Sequence, residues 1–318
     1  MLKPLVLSGL LLAVIRFSTT EEFPEAEISN NIVKAKLYLP DQQKGYYRGQ
    51  RFDWSGVIAS LEYKGHTYFG CWFDKYDPYN HDAISGPVEE FVPIGYETAK
   101  PGEPFLKIGV GALIKKEDTP YAFYKPYENI NPGTWTTEVK KDKAIFTHVL
   151  THAAGYSYTY EKIVRLKKNH LILEHHLKNT GTKTIETNAY DHNFFVFDNQ
   201  PIGPGVQVTF PFELQAINQG KGFESLAEVK GKQVRYLKEL EKGESAQVFL
   251  AGFGTSASDY NLRAENKTIG IQVHADQPIT RIVYWSIRTV FSPEPYIKIK
   301  AEPGKTMTWK IEYEFFVK

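Results

Sequence analysis

The sequence predicts an all-β protein built as a large antiparallel β-sandwich, and three observations predict it. Short runs alternate apolar and polar residues along the chain, turn residues separate those runs, and no segment carries a strong helical period. Alternation with period two turns one side of a strand to a core and the other to water. Many such strands joined by turns are satisfied by two sheets packed face to face.

The composition suits that architecture. The 318 residues are 42% hydrophobic and 24% charged, with a formal net charge of +1. Such a chain can bury a large core, and it lacks the basic stripe of a nucleic-acid-binding protein. Aromatic residues reach 14%, with 20 Tyr and 20 Phe. That content suits strands and also a carbohydrate cleft with aromatic walls. Cys71 is the single cysteine, which excludes an intrachain disulfide and any Cys₄ or Cys₂His₂ zinc site. No metal or organic cofactor is expected.

Residues 1–20 read as a signal peptide: Lys3 precedes an apolar run over residues 5–15, too short to span a bilayer. A periplasmic or secreted location follows, with no stable membrane span after cleavage. Arg16 ends the run abruptly and no A-x-A site is visible, so a short uncleaved anchor is the alternative. Residues 21–318 are expected to form one domain.

Residues 34–39 alternate, and residues 55–63 form a β-type run closed by Lys64-Gly65 and answered by residues 66–72 as a hairpin partner. Residues 105–111 read as an apolar strand interrupted by Lys107, which either snorkels to solvent or serves a site. Gly109-Val110-Gly111 is not a phosphate loop, because no helix with Lys-Ser/Thr follows. Tyr156, Tyr158 and Tyr160 share one face; Leu171, Leu173, His175 and Leu177 share another, ended by a turn at Asn179-Thr180-Gly181-Thr182. His175 and His176, adjacent on a strand, point to opposite faces and cannot chelate one metal. Residues 235–242 are expected as a short helix. Met307, Trp309, Ile311, Tyr313 and Phe315 line one face of the last strand, joined to residues 296–301 by a type II turn at Pro303-Gly304.

One stretch breaks the pattern. In Asp191-His192-Asn193-Phe194-Phe195 a polar triplet stands where a buried strand would continue. An imidazole held by an acid and an amide against aromatic walls suits general-acid work near neutral pH. A core histidine satisfied by backbone groups is the plainer reading.

With His192 so framed, the chain resembles the aldose 1-epimerase (galactose mutarotase-like) superfamily over residues 30–318. In that family an "NHxYFNL" strand carries the catalytic histidine after a strand ending in "N-T/D-G". Here Leu177-Lys178-Asn179-Thr180-Gly181 precedes Asp191-His192-Asn193-Phe194-Phe195. The family's glutamate base lies shortly before a "PGE"-type turn and a last strand, matched by Ser292-Pro293-Glu294-Pro295-Tyr296 and then Pro303-Gly304-Lys305. Arg48 to Gly56 resembles the family's early strand. The family's early "HGG" histidine is missing: Ile84-Ser85-Gly86-Pro87 holds none, and His81 lies a few residues earlier. The chain is therefore similar to a divergent branch.

The resemblance implies the galactose mutarotase-like sandwich and a catalytic pair, His192 as acid and Glu294 as base. They would move protons at the ring oxygen and anomeric hydroxyl of a mono- or oligosaccharide. Arg51 and Lys107 are the candidate donors to sugar hydroxyls, Glu90 a candidate acceptor, Trp72 or Tyr76 a stacking plate, and Asp191 and Asn193 substrate-binding neighbours of the histidine. Two other readings stand beside the epimerase: a carbohydrate-binding protein without turnover, and a glycoside-cleaving enzyme pairing Glu89 or Glu90 with Glu294.

Overall fold

The computed structural model describes residues 23–220 and 222–318. The expected signal segment lies outside the described residues. Strands dominate, and the sandwich is as expected. A ten-stranded antiparallel sheet runs in the order Ala227–Lys230, Gln233–Tyr236, Gln207–Thr209, Asn261–Glu265, Ile269–Ala275, Thr306–Val317, His170–Asn179, Tyr156–Lys167, Lys143–Ala153, Thr134–Val139. A six-stranded sheet faces it, in the order Gln215–Gln219, Ser245–Ala251, Ile279–Ile287, Val290–Ala301, Ile185–His192, Val88–Phe91.

Period two builds the layer between them. Leu171, Leu173, His175 and Leu177 turn inward from one strand, and Trp309, Ile311, Tyr313 and Phe315 from its neighbour. Phe91 of the six-stranded sheet meets Tyr160 at 5.5 Å and Trp309 at 6.1 Å, both edge to face. A four-stranded sheet from residues 25–69 closes one end, with Tyr68 against Phe315 at 4.8 Å. Its Val57–Tyr63 and His66–Phe69 strands form the expected hairpin, with Lys64 and Gly65 both at positive φ in the turn.

A second apolar cluster, with Phe52, Trp54, Val88 and Phe194, covers the outer face of the six-stranded sheet. Near Tyr190 and His192 the six-stranded sheet is therefore buried on both sides, while its far end leaves Glu186, Asn188, Lys298 and Lys300 exposed. Among the described residues no helix is long and apolar enough to cross a membrane.

Two expectations are corrected, and Glu294 is located. Arg235 starts no helix: Gln233–Tyr236 is a strand with Val234 and Tyr236 buried alternately, following a turn at Gly231. Glu294 lies inside the Val290–Ala301 strand, because proline and the residue before it both favour extended backbone. Residues 48–56 form no strand; they run as coil over the six-stranded sheet, placing Arg51 and Phe52 there.

That coil is held by close backbone approach. Trp54 N donates to Gly109 O at 3.2 Å, and Gly109 has φ +76°. A Cβ there would lie 2.2 Å from Asp53 Oδ1. Gly109→Ala is expected to lower stability by at least about 1–2 kcal/mol from the left-handed backbone alone, with the clash added, measured by urea denaturation.

Candidate active site

Strand alternation at Ile185–His192 divides its polar residues between two faces. Tyr190 and His192 look outward, and Asp191 looks toward the ten-stranded sheet, as does Asn193 just beyond the strand. Tyr190 lies opposite Glu90 on one neighbouring strand and Tyr296 on the other. Two residues further along the same outer row come His192 and Glu294. The backbone ladder between their strands stops at Tyr190–Tyr296, where Pro295 and Pro293 remove amide donors. The side chains nevertheless meet: His192 Nε2 lies 3.1 Å from Glu294 Oε1.

Aromatic rings close this pair. Phe194, at φ +42°, folds its ring onto the imidazole at 3.7 Å, nearly parallel. Trp72 stacks on the far side of Phe194 at 4.9 Å, while Phe52 and Trp285 present their edges to His192 at 5.7 and 5.5 Å. His192 is 4% exposed and Glu294 3%. Burial disfavours charge on both. It holds the imidazole well below its usual pKa, with Arg51 adding to the effect, and pushes the Glu294 carboxyl up to about 8 against the opposing pull of Arg51. Near neutrality the favoured state is therefore a neutral imidazole beside a protonated carboxyl. Neither His192 Nδ1 nor Glu294 Oε1 makes an aligned hydrogen bond within the protein.

Beside the pair lies a charge cluster. Arg51 donates from Nε to Glu90 at 2.7 Å, from Nη1 to Asp82 at 2.6 Å and from Nη2 to the Tyr190 hydroxyl at 3.1 Å. Its guanidinium lies between the rings of Phe52 and Phe123, at 4.6 and 4.0 Å. Tyr190 donates to Glu90 at 2.6 Å, and Lys107, fully buried at the end of Pro104–Lys107, donates to Glu90 at 3.3 Å and to Tyr121 at 3.4 Å. Burial alone would raise the Glu90 pKa; Lys107 and Arg51 reverse that and hold it below the usual carboxylate range. Lys107 is depressed by the same burial, against the pull of Glu90. It does not snorkel.

The structure thus gathers His192, Glu294, Arg51, Glu90 and Lys107 on one face. Trp72 reaches them through Phe194 and Trp285, at 4.9 and 5.7 Å; it also lines a surface groove of about 500 Å³ with Phe73, Ile287 and Arg288. Tyr76 stacks on Tyr46 instead, at 4.6 Å. Asp191 and Asn193 are placed elsewhere than expected. Both are buried between the sheets, where the Tyr313 hydroxyl lies 2.7 Å from Asp191 Oδ2 and 2.8 Å from Asn193 Oδ1. Glu89 is also on that inner face, bonded to Lys162, so it shares no cleft with Glu294. His81 stands at the rim, 3.2 Å from Asp82 and edge-on to Phe123 at 5.3 Å.

Sequence reading missed Tyr190, Asp82, Phe123 and Trp285. Tyr190 was accessible from its place two residues before His192 on one strand face; the other three come from distant segments with no local signal. Among the described residues, no group of three or more His, Cys, Asp or Glu is arranged to hold a metal.

No protein-family model matches the sequence, and neither does any curated protein. Solved structures do match. A protein from Synechocystis is 12% identical with a TM-score of 0.58, over 93% of this chain and 97% of that one. A galactose mutarotase-like protein from Lactobacillus casei is 13% identical at TM-score 0.57, over 92% and 100%. An aldose epimerase homologue from C. elegans is 12% identical at TM-score 0.53, over 92% and 98%. The chain has the galactose mutarotase-like fold.

Two outcomes follow from the electrostatics. Glu90→Gln leaves Arg51 and Lys107 short of their shared counter-charge and is expected to destabilise by about 3–5 kcal/mol, read from the denaturant midpoint. The Glu294 carboxyl, raised from 4.5 to about 8, contributes stability that is fully present below about pH 4.5 and is lost as pH rises through about 8. Glu294→Gln, which cannot ionise, should flatten that decline by one proton in denaturation series between those limits.

Proposed function

We propose that the protein is an aldose 1-epimerase-like enzyme that interconverts the anomers of a sugar by proton transfer at His192 and Glu294. One observation carries the reading. Two buried polar atoms, His192 Nδ1 and Glu294 Oε1, are committed to no structural hydrogen bond, and their side chains meet in an aromatic box, with His192 Nε2 3.1 Å from Glu294 Oε1. Buried polar groups are ordinarily satisfied, so an uncommitted pair beside aromatic walls suits a ligand with hydroxyls and an apolar ring face. The galactose mutarotase-like fold supports the same substrate class.

The favoured protonation state suggests roles opposite to those implied by the family resemblance. Neutral His192 accepts the proton of the anomeric hydroxyl while protonated Glu294 donates to the ring oxygen. The bond between the anomeric carbon and ring oxygen breaks, the aldehyde rotates, and the reverse transfers close the other anomer. Arg51, Glu90 and Lys107 then orient hydroxyls beside the reacting centre. A separation of 3.1 Å leaves no room for a sugar ring, so on this reading the partners part on binding. Asp82, His81 and Phe123, which cover Arg51 from the rim, are the residues to lift away. Export to the periplasm or exterior, through residues 1–20, is part of the proposal.

The close contact also favours a second reading, a carbohydrate-binding protein that keeps the pair shut and turns nothing over. Anomer exchange followed by NMR across a panel of aldoses separates the two. The enzyme reading expects wild type to accelerate exchange of at least one sugar, and His192→Ala and Glu294→Gln each to lower that rate by about 10²–10⁴-fold. Binding shifts without acceleration over buffer would sink it in favour of the second reading.

A further inference from the structure

Behind the His192–Glu294 face, the inner side of the same strand carries groups that the proton transfer does not use. Asn193 ties the two strands together where prolines interrupt the ladder. Its backbone N donates to Ser292 Oγ at 2.9 Å, and its Nδ2 donates to the Pro293 carbonyl at 2.5 Å. That second bond fixes the orientation of the amide, because a flip would set Oδ1 against a carbonyl oxygen. Asn193 Oδ1 must then face Tyr313, whose hydroxyl lies 2.8 Å from it and 2.7 Å from Asp191 Oδ2.

A phenol has one hydrogen to donate. If Asp191 were ionised, both neighbours of the hydroxyl would be acceptors, and one buried acceptor would go unmatched. The count closes when Asp191 carries a proton: Asp191 donates to Tyr313, Tyr313 to Asn193, and Asn193 to the Pro293 carbonyl. We propose that Asp191 is a neutral carboxylic acid in the folded protein and heads this relay, which sets Glu294 against His192.

The surrounding charges agree. Glu89 lies opposite Asp191 in register on the neighbouring strand. Asp53 approaches from the coil, bonded to Ser55 and, at 3.2 Å, to the Tyr160 hydroxyl. Lys162 is the ammonium among them, and it is bonded to Glu89 and to the Ser55 carbonyl. His175, 3.3 Å from Glu89, is held neutral by burial, and Tyr260 and Tyr313 complete the walls. Ionising Asp191 as well as Asp53 and Glu89 would set three carboxylates against one ammonium. Burial, with Glu89 adding to it, accordingly raises the Asp191 carboxyl far above its usual range.

The positioning half of this proposal rests on the acid–base reading of His192 and Glu294; the protonation half does not. Infrared difference spectra of wild type minus Asp191→Asn at neutral pH test the protonation directly. A lost protonated-carboxyl carbonyl band is expected, and loss of ionised carboxylate bands instead would overturn it. Positioning is read from kinetics on variants whose melting shows them folded. Asp191→Ala and Tyr313→Phe should each lower kcat by up to about 100-fold with KM little changed, and Asp191→Asn, whose amide can still donate to Tyr313, should restore most of the loss. Equal damage from Asp191→Asn and Asp191→Ala, or no effect of Tyr313→Phe, would overturn the relay. If wild type moves no anomer, the enzyme reading fails while the infrared result still decides the state of Asp191.

Discussion

Register is the constraint on which the rest depends. Four consecutive residues, Tyr190, Asp191, His192 and Asn193, alternate between two buried faces. Slipping the strand by one residue would exchange the faces, setting Asp191 among Phe52, Trp285 and Glu294, and His192 among Glu89 and Lys162. Either swap would bury a polar group away from its present partner, Tyr313 for Asp191 and Glu294 for His192. The polar residues therefore pin the strand as firmly as apolar ones do elsewhere in the sheet, and they do so at the place where prolines have removed backbone pairing.

The two faces handle burial differently. On the outer face Glu90 stays ionised because it has two cations and a phenol, each in hydrogen-bond contact. On the inner face the carboxyls outnumber the cations, and the balance is reached through raised pKa values at Asp53 and Asp191 rather than through pairing. His192 and Glu294 fall between these cases. They have each other, but their contact lacks the alignment of a hydrogen bond, and desolvation decides their state.

Much of this was legible in the chain, and the reasons are physical. Strands with one buried face, such as His170–Asn179 and Thr306–Val317, announce themselves by alternation, and the Lys64-Gly65 turn by its backbone demands. The faces of Asp191 and Asn193 were equally available from period two, yet reading them as a clamp on His192 treated neighbours in sequence as neighbours in space. Glu294 lies in a strand although two prolines flank it, because an extended strand tolerates their fixed φ once side chains replace the lost ladder bonds. The contacts of Arg51 with Asp82 and Phe123 join segments 31 and more residues apart, and no local pattern encodes them.

The direct contact between His192 and Glu294 has a consequence for how the protein exchanges matter with its solvent. A neutral imidazole beside a protonated carboxyl and an imidazolium beside a carboxylate hold the same number of protons. Passing from one to the other alters polarity inside the box but neither takes a proton from bulk water nor releases one. The site can thus be switched between an apolar and a zwitterionic interior by whatever enters it, with the heat of that switch independent of the buffer and its free energy only weakly sensitive to dissolved salt.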